Sequence, residues 1–158
     1  MRIHRFIFIT TVGLAITACG ATTKAFVSKD FSRSKYKNIA IVKSNDKAFA
    51  DAVMTEFLGA GVSLIDRQNH DALLSEHQLS QGGTLDASAA QRVGKLAGAD
   101  AIIVLEFQVA YHPSAKLTMI DAESGAILMS AMFRQTSGST KTRVSIAEDF
   151  AAKIKSHL

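Results

Sequence analysis

The 158 residues include one cysteine, one proline and no tryptophan. A single cysteine cannot form an intrachain disulfide, so a disulfide-stapled scaffold is excluded. The excess of positive charge is small, with 18 Lys+Arg against 14 Asp+Glu, and it does not indicate a nucleic-acid partner. Only the first eighteen residues are both acid-free and mostly apolar, which excludes a polytopic membrane protein. A hydrophobic share of 47% excludes disorder, and the length fits one globular domain.

Residues 1–18 have the pattern of a secretory signal peptide. Arg2 and Arg5 precede a run from Phe6 to Ile16 in which nearly every residue is apolar or small. Such a run is too short to span ~30 Å of hydrocarbon, so the segment is predicted to be removed. The ending Ile16-Thr17-Ala18-Cys19 resembles a bacterial lipobox. That resemblance implies that Cys19 becomes the first mature residue, with a diacylglycerol thioether and an amine acylated by a chain such as palmitate.

Two other interpretations of Cys19 stay open at this stage: cleavage elsewhere that leaves a spare thiol, and retention of the apolar run as an anchor helix. An unpaired thiol in an oxidising compartment is a liability unless it has a role, which favours lipidation. More than one acyl chain, at ~0.8 kcal/mol per buried CH₂, attaches a protein stably to a membrane. Position 20 is Gly, whereas an Asp there would retain an enterobacterial lipoprotein at the inner membrane. The resemblance therefore implies the outer membrane, on its periplasmic face.

Residues 19–37 are predicted to be the lipidated cysteine and a basic tether, because no helical or alternating pattern persists there. Asp30 is the one acidic residue of this segment. Its basic residues are Lys24, Lys29, Arg33, Lys35 and Lys37. Such a segment either lies against anionic headgroups or is simply a solvated linker. Its aromatic residues are unusual for a linker and favour packing on a neighbouring element; they are Phe26, Phe31 and Tyr36.

The periodicity of residues 38–158 predicts one α/β domain with the order β-α-β-α-α-β-β-β-α and a single mixed sheet packed by helices. The predicted strands are Asn38–Lys43, Val62–Asp66, Asp100–Ala110, Leu117–Asp121 and Ala126–Arg134. The predicted helices are one from Asp46 that stops before Gly59, Arg67–Gln81, Asp86–Ala97 capped by Asp86, and Val144–Ser156. The continuous apolar run of the third strand predicts burial on both faces. In the last strand, Ile127, Met129, Ala131 and Phe133 are expected to share a face.

Several pieces of this domain, taken in order, resemble the periplasmic domain of the curli-assembly transport lipoprotein (CsgG) family. They are Asn38–Lys43, Leu64-Ile65-Asp66-Arg67, Leu73-Leu74-Ser75-Glu76-His77-Gln78-Leu79, Val93-Gly94-Lys95-Leu96-Ala97-Gly98-Ala99-Asp100, and Leu117–Leu128 with Asp121-Ala122-Glu123-Ser124-Gly125. The resemblance covers about residues 38–135, and it implies a CsgG/anticodon-binding-like fold related to that of the penicillin-binding-protein activator lipoprotein (LpoB). Gly94, Gly98 and Gly125 are predicted scaffold residues at close approaches and turns.

The chain departs from the family where a secretion pore would need long membrane-crossing hairpins. The third and fourth strands are joined only by Tyr111-His112-Pro113-Ser114, and about ten polar residues follow Phe133. We expect that the chain cannot form such a pore alone. An LpoB-like activator of a peptidoglycan synthase remains an alternative, although such relatives use a long, often Pro-rich tether.

Three sets of side chains in the sequence are candidates for a chemical site. His70, Glu76 and His77 share a predicted helix, but a spacing of seven residues puts the histidines about 10 Å apart and predicts no metal site. Caps and turns account for the carboxylate pairs Asp46/Asp51 and Asp121/Glu123. With no nucleophile elbow, phosphate loop or Cys/His pair, neither enzyme activity nor a cofactor is expected.

Glu106 is the one carboxylate inside the predicted central strand. Because an unpaired buried carboxylate is costly, we expect it to pair with Lys116 or Arg134 or to reach a sheet edge, and a functional groove remains the alternative. The leading interpretation is a non-catalytic outer-membrane lipoprotein that binds other envelope proteins in assembly or export, with a homo-oligomer as an open option. A periplasmic small-ligand receptor or hydrolase is a further alternative, since it would need only a pocket with converging polar groups.

Overall fold

The computed structural model describes residues 21–32, 34–65, 87–136, 141–155 and 157. Its strands are β1 (Thr22–Val27), β2 (Asn38–Ser44), β3 (Ser63–Ile65), β4 (Ala101–Gln108), β5 (Ser114–Asp121) and β6 (Ile127–Arg134). Its helices are α1 (Lys47–Gly59), α2 (Ala87–Ala97) and α3 (Arg143–Ile154). The predicted mixed α/β fold is confirmed. The predicted helix Arg67–Gln81, the metal candidates at 70, 76 and 77, and Cys19 lie outside the described residues, as does Asp86, the predicted cap of the helix that ends at Ala97.

All six strands form one sheet in the order β1-β6-β5-β4-β2-β3. β2 is parallel to β3 and β4, and the remaining pairs are antiparallel. The parallel pairs need long crossovers, which α1 and the segment containing α2 supply, whereas β5 and β6 are joined by a tight turn. Among the described residues, no helix is long and apolar enough to cross a membrane.

Helices α1 and α3 cover one face of the sheet. Their buried stripes follow the three- and four-residue steps seen in the sequence, as with Phe49, Val53 and Phe57 of α1. Phe49 meets Phe150 of α3 edge-on, with ring centroids 6.0 Å apart. The large core beneath these helices explains why both form stable amphipathic elements.

Helix α2 covers only part of the opposite face. A smaller cluster of buried side chains lies there, with Val93 packed near Ile102 and Ile120. Gly94 makes this close approach feasible, since a Cβ at position 94 would lie only 2.3 Å from the Cβ of Ala122. Gly98 and Gly125 have φ of 63° and 74°, which confirms their predicted turn roles.

The prediction of a patternless tether is wrong for residues 22–27. These residues form β1, which pairs with β6 from Thr22↔Arg134 to Val27↔Met129. The sequence shows little alternation here, because the residues on the helix-covered face, Thr23, Ala25 and Val27, are small or only moderately apolar and none of them is fully buried. Tyr36 is buried in the core, and Phe31 stacks on it at 5.4 Å between ring centroids.

The prediction that Ile127 shares a face with Met129 is also wrong. The register of β5 and β6 shifts between Met119 and Ile120, so that Ile120 lies opposite Ile127. This irregularity gives β6 an extra residue, and Leu128 is buried in the large core in place of Ile127. Ile127 is exposed on the other side.

Candidate binding surface

The carboxylates that the sequence offered as pairs serve separate structural roles. Asp46 accepts a hydrogen bond from the Phe49 amide at 2.9 Å and caps α1. Asp51 accepts from Lys47 at 2.9 Å, one helical turn away. Because Asp46 and Asp51 engage different partners, they do not form an acid/base pair.

Asp46 also joins α1 to α3. Arg143 Nε donates to both carboxylate oxygens at 2.9 Å, and Nη2 donates to Oδ2 at 2.7 Å. These hydrogen bonds from Arg143 lower the pKa of Asp46, with the helix-terminal amides adding to the effect. The guanidinium lies 4.8 Å from the ring centre of Phe107, so the same side chain contacts the end of β4.

Asp121 is a buried carboxylate at the β5–β6 turn, 3% exposed. Its Oδ2 accepts from Tyr36 Oη at 2.6 Å and from Lys35 Nζ at 3.2 Å. Its Oδ1 accepts from the amides of Glu123 and Ser124 at 2.8 and 2.7 Å. Burial pushes the pKa of Asp121 upward, but the hydrogen bonds from Tyr36 and the two amides outweigh it and hold the pKa well below its usual range.

Because both oxygens of Asp121 already accept hydrogen bonds from the protein, Asp121 offers little to a ligand in the hollow beside it. The hollow, of about 340 Å³, is lined mainly by polar and charged residues, among them Lys95, Asp100 and Glu123. Asp100 is engaged as well, since its Oδ2 accepts from the amides of Lys37 and Asn38 at 3.0 and 2.9 Å. Both carboxylates therefore accept hydrogen bonds from the protein itself, Asp121 through both oxygens and Asp100 through Oδ2. Nor do the described residues contain a cluster of three or more metal-ligating side chains.

The described helices leave much of one sheet face uncovered: the face of β1, β6, β5 and β4 beyond α2. The pairing of these strands arranges the side chains of this face in cross-strand rows. We call these rows together the open sheet face. The rows are Thr22–Arg134–Ser114–Gln108, Lys24–Met132–Lys116–Glu106 and Phe26–Ser130–Thr118–Val104.

The open sheet face mixes exposed apolar and basic groups. Phe26 is 61% exposed and Met132 52% exposed. Lys24, Lys116 and Arg134 outnumber Glu106, which gives the face a positive excess. Exposed aromatic and Met side chains set among polar residues are typical of a protein interface, where aromatic residues, Met and Arg are enriched.

Glu106 lies on this face, directly opposite Lys116. In β4 the run of consecutive buried residues ends at Ile103 and exposure then alternates, so Glu106 is exposed. The prediction that this strand is buried on both faces is therefore wrong for the second half of β4, which contains Glu106. Glu106, Lys116 and Arg134 together line a shallow hollow of about 170 Å³ on the open sheet face.

No protein-family model matches the chain, and no curated protein matches it. Among solved structures, the chain is similar to the PelC dodecamer from Paraburkholderia phytofirmans, at 12% identity and a TM-score of 0.50 over 85% of this chain and 94% of that one. The LpoB C-terminal domain from Salmonella enterica aligns at 13% identity and a TM-score of 0.49, over 70% and 88%. Lipoprotein GNA1162 from Neisseria meningitidis aligns at 17% and 0.44, over 75% and 93%. The similarity to PelC is one of fold: this chain has the architecture of that protomer.

Proposed function

We propose that this chain is a non-catalytic outer-membrane lipoprotein, anchored through Cys19, that binds another envelope protein in assembly or export through its open sheet face. The observation that carries the proposal is the exposure of Phe26 and Met132 on a sheet face that the described helices leave uncovered. Asp121, whose two carboxylate oxygens both accept from the protein itself, argues against a hydrolase or a small-ligand receptor at the neighbouring hollow.

Support for the envelope setting comes from the signal-peptide pattern and the lipobox resemblance. The CsgG-like interpretation remains part of this proposal, as a domain without pore-forming hairpins. The solved PelC structure is a dodecamer, so a second copy of this chain is one candidate partner. The LpoB-like alternative is weakened, because β1 begins at Thr22 and leaves only Cys19 to Ala21 between the lipid and the sheet.

Photo-cross-linking in cells tests the interface. A photoreactive residue at Met132 should yield a discrete cross-linked species, and the same residue at Leu58 should not. Leu58 is the matched control because it is also 52% exposed but lies on α1, behind the opposite sheet face. Phe26→Lys should abolish the Met132 adduct, whereas Leu58→Lys should preserve it. Equal cross-linking from both positions would contradict the assignment of the face.

The anchor needs its own test. Cys19→Ala should release the protein from the membrane fraction, and the mass of the purified native protein should include the added acyl chains. A protein that keeps residue 1, or that carries an unmodified thiol, would contradict lipidation.

A further inference from the structure

The end of the sheet at which β1 begins is also the end with the most exposed large apolar side chains among the described residues. They lie in the connection between β4 and β5, at 109–113, where Val109 is 77% exposed and Tyr111 94% exposed. The ring of His112 meets Tyr111 edge-on, with centroids 4.9 Å apart. The connection thus presents an apolar residue and an aromatic pair to the solvent.

Strand register fixes where this connection lies relative to the anchor. Thr22 begins β1 and shares the terminal cross-strand row with Arg134, Ser114 and Gln108. Three strand spacings of ~4.8 Å place Gln108 roughly 14 Å from Thr22. The three residues from Cys19 to Thr22 span at most about 10 Å. A lipid on Cys19 would therefore hold this end of the sheet beside the leaflet.

We infer that the connection at 109–113 inserts into the interfacial layer of the leaflet that holds Cys19. This end of the domain then contacts the membrane, and the opposite end points away from it. The inference rests on the lipid anchor of the proposed function. Tyrosine is favoured at membrane interfaces, because its ring enters the apolar boundary while its hydroxyl remains hydrated. Lys24 and Arg134 lie within two rows of this end and would meet anionic headgroups, with Glu106 as the opposing charge on the same face.

Exposed apolar residues also occur at the opposite end, as with Leu58 at the end of α1 and Ile127 at the start of β6. The eight residues of β6 span roughly 26 Å, so Ile127 and Arg134 lie at opposite ends of the sheet. The short reach of three residues from Cys19 therefore selects the end with Tyr111. An orientation in which the domain lies flat would bring Leu58 and Tyr111 to the membrane equally.

The absence of tryptophan makes the test direct. The lipidated chain with Tyr111→Trp is reconstituted in vesicles of phosphatidylethanolamine and phosphatidylglycerol that carry brominated acyl chains, which quench tryptophan on contact. We expect blue-shifted emission and strong quenching for Tyr111→Trp. The matched control Leu58→Trp should emit as in water and be quenched little.

The outcomes separate the inference from the proposal on which it rests. A protein that floats with the vesicles while its residue-111 tryptophan is unquenched would overturn the inference alone, and so would equal quenching at positions 58 and 111. A purified chain without the lipid mass would remove the anchor and the inference together. Both positions are exposed, and urea unfolding of each variant checks that it retains the wild-type fold.

Discussion

Tyr36 and Asp121 connect the segment after β1 to the β5–β6 turn through a 2.6 Å hydrogen bond between the phenol and a buried carboxylate. Burial and the hydrogen bond to Asp121 both raise the pKa of Tyr36, so the phenol stays a donor under ordinary conditions. Because Tyr36 stacks on Phe31, this bond also orders the polypeptide between β1 and β2.

Tyr36→Phe should lower the free energy of unfolding by ~1.5–3 kcal/mol, the usual contribution of a hydrogen bond to a charged group. The variant keeps the ring stack and removes only the hydroxyl donor to Asp121. Urea denaturation followed by circular dichroism measures the change. Tyr111→Phe is the matched control and should be neutral, since Tyr111 is almost fully exposed. Equal effects of the two variants would contradict the role of the Tyr36–Asp121 bond.

Acid should destabilise the protein through Asp121. Its pKa is lower in the folded chain than the ~3.9 of an unfolded one, so its contribution is complete above pH ~4 and is lost as the pH falls further. Asp121→Asn should be less stable at neutral pH and should lose less stability on acidification. Urea midpoints measured over a pH series compare the two proteins. Parallel profiles for wild type and variant would assign the acid sensitivity to other carboxylates such as Asp46, whose pKa is also lowered.

Gly94→Ala should destabilise the domain although alanine favours helices. The added methyl would overlap the Cβ of Ala122 at 2.3 Å and force α2 away from the sheet, at a cost of about 1–3 kcal/mol. Gly59→Ala is the control, because nothing lies within 4 Å of its Cβ position and helix propensity should raise stability by up to ~1 kcal/mol. Thermal unfolding compares both variants. Ala122→Gly should partly rescue Gly94→Ala, and a lack of rescue would show that Ala122 is not the obstacle.

Asp46→Ala should destabilise the protein by ~1–2 kcal/mol, because it removes the cap of α1 and the partner of Arg143 together. Arg143→Ala should cost less than ~1 kcal/mol, since that side chain is partly exposed and the cap survives. Urea denaturation of both single variants and of the double variant separates the cap from the ion pair. A larger loss from Arg143→Ala than from Asp46→Ala would reverse this assignment.

The helices and central strands were predictable because their signals are local. The stripe of Phe49, Val53 and Phe57, and the apolar run of β4, follow directly from periodicity and length. The turn at Ala122–Gly125 was predictable because only a few residue types tolerate its backbone geometry.

The features that depend on pairing between distant strands were not predictable. β1 is stabilised by its pairing with β6, and its own residues show the alternation typical of a strand only weakly. The burial of Leu128 depends on an irregularity in the register of β5 and β6, and no residue type in these strands predicts that irregularity. The open sheet face is likewise a product of register, because its rows combine residues from four strands. Phe26 and Tyr36 were the available clues, since aromatic residues are unusual in a solvated linker.

The pairing of β1 with β6 orders events during biogenesis. β1 can pair with β6 only after the much later residues of β6 have been synthesised and, under the proposed function, exported. If Cys19 is processed as proposed, the enzymes that acylate it meet a polypeptide whose first strand still lacks its place in the sheet. Maturation at the amino terminus would then precede completion of the sheet, and a truncated chain lacking β6 would present an acylated but unpaired strand at the membrane surface.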